Sequence, residues 1–348
     1  MAVVNKNKIK AGVVGANGYS GIELCRLLMA HPNIELAACI VRDVQWSLAN
    51  EIAFSPLMPL PLHCGLEDIE QQAENLDVLF LATPADVSLA TLVKVRTQNK
   101  TIKLIDLSGS LRLDVAQAKK TYGLDISTVE KTTYGLQPWN FPETNVVANP
   151  GCYATSILMA ILPLIKNAVI DPASLVIDAK SGATGAGKTP KAHLQFSEVA
   201  DSVVPYRVGE HQHAPEIQKF VQDSTGIQID PHMCTHLLPI RRGIVSTIYA
   251  DLKPNHNAQT VAQAFAEAYE SYPFVQWSDS ALKPEPLLKK VVGTPMTAIS
   301  FKVCGTKLYM NSMIDNLMKG AASQAIENAN LLFSLSIDAG LSQQWGFA

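Results

Sequence analysis

Residues 146–156 (VVANPGCYATS) put a cysteine in a position where it can do chemistry. The apolar start reads as a strand. Asn149-Pro150-Gly151 then reads as a sharp turn, because a residue before proline is held extended and glycine permits a reversal. The apolar spacing that follows predicts a helix over 152–161. Cys152 therefore falls at the first helical turn, where unfilled N–H groups and the helix dipole favour a thiolate. A thiolate is the nucleophile needed for attack on an acyl carbon. Cys25, Cys39, Cys64, Cys234 and Cys304 lie in apolar or ordinary stretches and read as structural.

A thiolate nucleophile needs a group that accepts and returns a proton. Residues 206–217 (YRVGEHQHAPEI) carry His211 and His213 just before Pro215, a residue suited to a first helical turn. Their spacing lets one imidazole face Cys152 while the other meets substrate. The remaining histidines, His31, His63, His193, His232, His236 and His256, read as structural.

A third motif, GANGYSG at 15–21, follows one apolar run and opens a helical one. Glycines there let a phosphate approach the backbone, and the helix N-terminus offers free N–H groups to a pyrophosphate. The spacing is GxxGxxG rather than the more familiar GxGxxG. The second strand ends Ile40-Val41-Arg42-Asp43. Arg42 suits the 2′-phosphate of NADP, whereas Asp43 leaves NAD open.

These motifs need a frame to hold them. Apolar runs at 9–14, 34–41, 77–82 and 103–107 alternate with helical stretches at 22–30 and 84–96, which implies right-handed βαβ units and a parallel sheet. After Pro150 strands dominate, at 174–180, 235–240, 244–252, 297–303 and 307–314, the last two flanking a tight hairpin at Cys304-Gly305-Thr306. A long amphipathic helix is expected over 317–333. The expected class is α/β, a Rossmann-type nucleotide domain joined to an α+β catalytic domain with a mostly antiparallel sheet.

Composition agrees. A chain of 348 residues suggests about two domains. Its 47% hydrophobic content excludes general disorder. A net charge of −3 without any basic block argues against nucleic acid and anionic membrane as partners. Six scattered cysteines without a CxxC pair argue against a disulfide scaffold and a thiolate metal site. No long apolar span and no apolar leader are evident, so the cytoplasm is the expected compartment.

Taken together the motifs resemble the N-acetyl-gamma-glutamyl-phosphate reductase family, whose fold is shared with aspartate-semialdehyde and glyceraldehyde-3-phosphate dehydrogenases. The glycine loop, NPGCYATS at 149–156 and HQHAPEI at 211–217 carry the likeness. DLSGSLRL at 106–113, YGLQPWN at 134–140, SGATGAGK at 181–188, HLLPIRRGI at 236–244 and DNLMKGAASQA at 315–325 extend it in the family's order. Departures stand at Ser110-Leu111, Gln137-Pro138-Trp139, Ala154 and Lys188.

The resemblance implies NADPH-dependent reduction of a small acyl phosphate to an aldehyde, with release of phosphate, in arginine biosynthesis. It assigns Cys152 as nucleophile and His211 as acid/base. Arg112, His213, Ser108 and Asn149 are expected at the substrate. Gly15, Asn17, Gly18, Tyr19, Ser20, Gly21, Arg42, Thr83, Pro84, Ser181, Gly182 and Asn316 are expected at NADP, with Asn316 near the nicotinamide carboxamide. The expected domains are 1–149, completed by 315–348, for the nucleotide, and 150–314 for catalysis and oligomerisation as a homodimer or homotetramer. Two alternatives stay open: a relative acting on aspartyl or N-acetyl-aminoadipyl phosphate, and a nucleotide sensor without catalysis.

Overall fold

The computed structural model describes residues 8–53 and 59–341. Residues 1–7 and 342–348, which the expected domain limits include, lie outside the described residues. The chain divides into two compact units, one reaching Pro150 and resuming at Ala321, the other Gly151–Gly320.

The first unit contains strands β1 (Ile9–Val14), β2 (Ile34–Ile40), β3 (Leu62–Cys64), β4 (Val78–Leu81), β5 (Lys103–Asp106), β6 (Thr133–Tyr134) and β7 (Val146–Ala148). Its helices are α1 (Tyr19–Met29), α2 (Ile69–Ala73), α3 (Ala85–Gln98) and α4 (Val115–Tyr122). The seven strands form one sheet in the order β3-β2-β1-β4-β5-β7-β6. Every pairing in it is parallel. The fully buried β4 shows why: a parallel strand covered on both faces reads as a continuous apolar run.

The second unit contains helices α5 (Cys152–Lys166), α6 (Phe196–Val199), α7 (Ala214–Thr225) and α8 (Ala258–Tyr269). Its strands are β8 (Ile170–Ser181), β9 (Val204–Tyr206), β10 (His232–Leu237), β11 (Ile244–Leu252), β12 (Val275–Asp279), β13 (Thr297–Cys304) and β14 (Lys307–Ile314). They form a sheet in the order β12-β13-β14-β11-β8-β10-β9. The β12–β13 and β8–β10 pairings are parallel and the rest antiparallel. The β13–β14 hairpin turns through Gly305 at φ +62°, as its sequence predicts.

Helix α5 runs past the expected limit at 161 and through Pro163. Proline cannot donate to the carbonyl four residues back, here Met159. The Tyr269 hydroxyl on α8 donates to that carbonyl instead, at 2.5 Å, so the helix continues. Ser156 fixes α5 to the sheet, its hydroxyl donating to the Ser312 carbonyl at 3.1 Å and lying 2.9 Å from Ser246 Oγ.

The helix expected over 317–333 is two pieces. Met318–Ala322 is π-helical, and α9 (Ser323–Leu332) follows in the first unit. There Asn330 meets His31 Nε2 at 3.0 Å. Among the described residues no helix is long and apolar enough to cross a membrane.

Candidate active site

The glycine loop leaves β1 through Gly15, which has φ +78° and donates to the Ile40 carbonyl at 2.8 Å. A Cβ on Gly15 would lie 2.5 Å from the Ala82 carbonyl oxygen, and one on Gly21 only 2.1 Å from that of Gly15. Both positions therefore need glycine. Gly18 caps α1 with no side-chain hydrogen bond, so the first turn keeps donors for an anion. Asn17, Tyr19 and Ser20 are half-buried on this loop, and Arg42 is exposed just past β2. Thr83 and Pro84 lead into α3, with Thr83 Oγ1 2.8 Å from Ser88 Oγ. A backbone cradle with an exposed guanidinium at the end of β2 fits a dinucleotide bearing a 2′-phosphate.

At the end of β5, buried Asp106 organises the segment that carries Ser108 and Arg112. It accepts from the Ser108 hydroxyl at 2.9 Å and the Ser110 hydroxyl at 2.6 Å. Ser110, a departure from the family pattern, thus serves this carboxylate. Arg112 is 8% exposed. Its Nε donates to the Asn149 carbonyl at 2.8 Å and its Nη2 to that of Leu107 at 2.7 Å, which orients the guanidinium. Asn149 is fully buried, its amide donating to the Ala321 carbonyl and its Oδ1 accepting from Asn328. Asn328 in turn accepts from Gln137 Nε2 at 3.0 Å. Gln137, a second departure, therefore belongs to this buried amide network.

In the second unit Cys152 begins α5 and is half-buried. The preceding Gly151 N–H donates to Glu216 Oε1 at 2.7 Å, which ties the nucleophile turn to the first turn of α7. The π-turn backs the cysteine closely: a Cβ on Gly320 would lie 2.7 Å from that of Cys152.

Four rings gather beside it. Tyr153 stands edge-on to His211 at 5.1 Å between centroids and to His213 at 6.1 Å. Tyr206 meets His211 at 5.7 Å, and the imidazoles lie 4.9 Å apart. The Tyr206 hydroxyl donates to the Tyr153 hydroxyl at 2.9 Å. Burial raises both phenols, Tyr206 to about 12 and Tyr153 further, and the neighbouring Cys152 adds to each rise. Both stay protonated at neutral pH.

Burial pushes the His211 imidazolium down to about 3, and His213 and Arg207 add to the fall against an opposing pull from Glu216. His211 Nδ1 accepts the backbone N–H of His213 at 3.2 Å. The neutral ring consequently carries its proton on Nε2.

Ser181, Gly182 and Asn316 also belong to the second unit. Gly182 N–H donates to the Gly243 carbonyl at 2.9 Å. Asn316 Oδ1 accepts from Gly243 N–H at 2.7 Å, and its amide donates to Thr184 Oγ1 at 3.0 Å. Asp315, paired with Arg242 at 2.9 Å, fixes this corner. Lys188 is exposed, and Ala154 fills the core. None of the six cysteines is in a disulfide, and the described residues hold no His/Cys/Asp/Glu cluster suited to a metal.

Sequence reasoning missed Asp106, Tyr153, Tyr206, Glu216 and Asp315. D-x-S-x-S at 106–110 and the glutamate three residues after His213 were available local signals. Tyr206 had none, because β9 reaches α5 only through the fold.

The family model described as "Semialdehyde dehydrogenase, NAD binding domain" matches residues 10–146, and "Semialdehyde dehydrogenase, dimerisation domain" matches 152–316. The chain is similar to proteins named N-acetyl-gamma-glutamyl-phosphate reductase. That of Bacillus mycoides is 37% identical, covering 96% of this chain and 98% of the relative. That of Bacillus cereus is 36% identical with the same coverage. In fold it is similar to aspartate semialdehyde dehydrogenase II of Vibrio cholerae, with TM-score 0.69 and 14% identity over 94% of this chain and 99% of that one. The Candida albicans aspartate semialdehyde dehydrogenase solved with NADP gives TM-score 0.67 at 17% identity, over 95% and 100% of the two chains. At 37% identity over nearly its whole length, the chain belongs to the N-acetyl-gamma-glutamyl-phosphate reductase family.

Proposed function

We propose that this protein reduces N-acetyl-gamma-glutamyl phosphate to N-acetylglutamate semialdehyde and phosphate with NADPH, through a thioester on Cys152. The observation that carries the reading is the half-buried cysteine at the start of α5, set among two phenols and two imidazoles. The names of the relatives supply the substrate.

The Cys152 thiolate attacks the acyl carbon, and the C–O bond to phosphate breaks, leaving the thioester. NADPH, when bound, supplies the hydride that reduces this carbonyl. Collapse of the thiohemiacetal frees the aldehyde and returns the thiolate, and the alkoxide and sulfur exchange a proton with the protein on the way.

The family resemblance implies His211 for the proton transfers. Its burial in the neutral form and its filled Nδ1 suit it instead to hydrogen-bond donation. We assign the transfers to His213, at the cap of α7 one turn before the buried carboxylate of Glu216. Arg112, steadied by two carbonyls, receives the substrate carboxylate with Ser108 beside it. Asn149, enclosed in its amide network, holds Arg112 rather than substrate.

The residues assigned to NADP are Gly15, Asn17, Gly18, Tyr19, Ser20, Gly21, Arg42, Thr83, Pro84, Ser181, Gly182 and Asn316. The expected domain limits, 1–149 with 315–348 and 150–314, are kept as the working division. The dimerisation-domain match supports a homodimer or homotetramer. NADPH chemistry on a reduced thiol suits the cytoplasm.

The test is the reverse reaction. Semialdehyde, phosphate and NADP should yield NADPH only when all are present. Greater turnover with aspartate semialdehyde would reassign the substrate, and binding of NADP without any turnover would favour a sensor.

A further inference from the structure

We propose that Tyr206 is a positioning residue of this site: with Tyr153 it encloses His211 so that the imidazole works as an uncharged Nε2–H donor. The proposal rests on the acyl-transfer reading above and assigns the role of a histidine within it.

Three features converge on His211. Its ring is 6% exposed and meets Tyr153, Tyr206 and His213 edge-on, at 5.1, 5.7 and 4.9 Å between centroids. The two tyrosines are joined at their hydroxyls, 2.9 Å apart, so they form one wall rather than two independent side chains. The wall is anchored from behind, because Thr235 Oγ1 on β10 donates to the Tyr206 carbonyl at 2.5 Å.

The backbone between Tyr206 and His211 is strained to make this closure. Arg207 has φ +46°, a left-handed conformation that a side chain disfavours, and Gly209 follows at φ +72°. The chain thereby doubles back and lays the Tyr206 ring on an imidazole five residues later in sequence. Strain in a segment beside a nucleophile is a signature of a constrained functional geometry.

The groups facing His211 come from three elements. Tyr153 lies at the start of α5, Tyr206 ends β9 with Arg207 in the turn beyond, and His213 and Glu216 open α7. Arg207 and His213 oppose a second positive charge there, and Glu216 favours it. With Nδ1 already accepting the His213 N–H, the ring can only donate, from Nε2. A neutral donor fixed in a dry cage stabilises a developing oxyanion without reorganising, and its state does not change across neutral pH.

The test is histidine NMR on the full chain, the His211 signal identified by its loss in His211→Gln. In the wild type His211 should show the Nε2–H tautomer and no titration across about pH 5 to 9. Tyr206→Ala should open the cage, so that His211 titrates near the ordinary value of about 6.5 and the kcat–pH profile gains that ionisation. Tyr206→Phe, which keeps the ring, should restore the non-titrating signal. A wild-type His211 that titrates near neutrality overturns the proposal without need of any variant. So does a Tyr206→Ala protein whose His211 stays silent. The NMR readout needs no substrate, so failure of the reductase assay and failure of this proposal are separate results.

Discussion

The glycine loop of the first unit and the thiol cluster of the second are built from opposite materials. The loop is almost wholly backbone: its three glycines, Gly15, Gly18 and Gly21, are spaced three apart, and close approaches at Gly15 and Gly21 require glycine there. The cluster is wholly side chain, assembled from the start of α5, the end of β9 and the start of α7. Backbone donors keep one charge state at every pH, which suits a phosphate that must only be held. Side chains titrate, which suits a centre that must move protons.

The comparison breaks most sharply at His213. His213→Asn should lower kcat by about 10²–10⁴-fold and remove an ionisation from the pH–rate profile. His211→Asn should lose less and keep that ionisation. The opposite pattern in rapid-reaction kinetics returns the acid/base role to His211.

A mirrored pair of glycine variants separates the two materials. Gly21→Ala puts a methyl against the Gly15 carbonyl and should weaken NADPH and NADH alike by about 1–3 kcal/mol. Calorimetry measures that loss, and the alkylation rate of Cys152 should not follow it. Gly320→Ala crowds Cys152 and should change its alkylation rate.

Arg42→Asp is subtler. It should cost about 1–2 kcal/mol in NADPH binding, roughly tenfold, and spare NADH. Equal loss of both nucleotides would detach Arg42 from the 2′-phosphate.

A last effect is on stability. The folded chain protonates His211 only near pH 3, while an unfolded chain does so near about 6.5. Between these values the unfolded state binds more protons, so stability should fall as pH falls through that window. His211→Gln should flatten this part of a denaturant-midpoint series against pH. An unchanged slope would show that His211 is not held neutral.

The same contrast explains what the sequence could reveal. The strands of the parallel sheet, the glycine loop and the cysteine turn are local, so strand-sized apolar runs and short motifs announce them. Helix α5 exceeds its expected limit of 161, and the Tyr269 hydroxyl that takes up the carbonyl freed by Pro163 lies 110 residues from Met159 in sequence, beyond the reach of local spacing. The piece at 317–333 looked like one amphipathic helix because apolar spacing cannot report a π-turn. Cys152, His211 and His213 were recognisable by type and spacing. The Tyr153–Tyr206 wall was not, because β9 is a three-residue edge strand without a pattern of its own.

The central claim is the covalent thioester. Enzyme mixed with excess N-acetyl-gamma-glutamyl phosphate in the absence of NADPH should release one burst of phosphate per active protomer. Mass spectrometry of the quenched protein should then find the N-acetylglutamyl group on the Cys152 peptide, and Cys152→Ser should show neither. Phosphate release that waits for NADPH, or an acyl group on any other residue, would contradict the account.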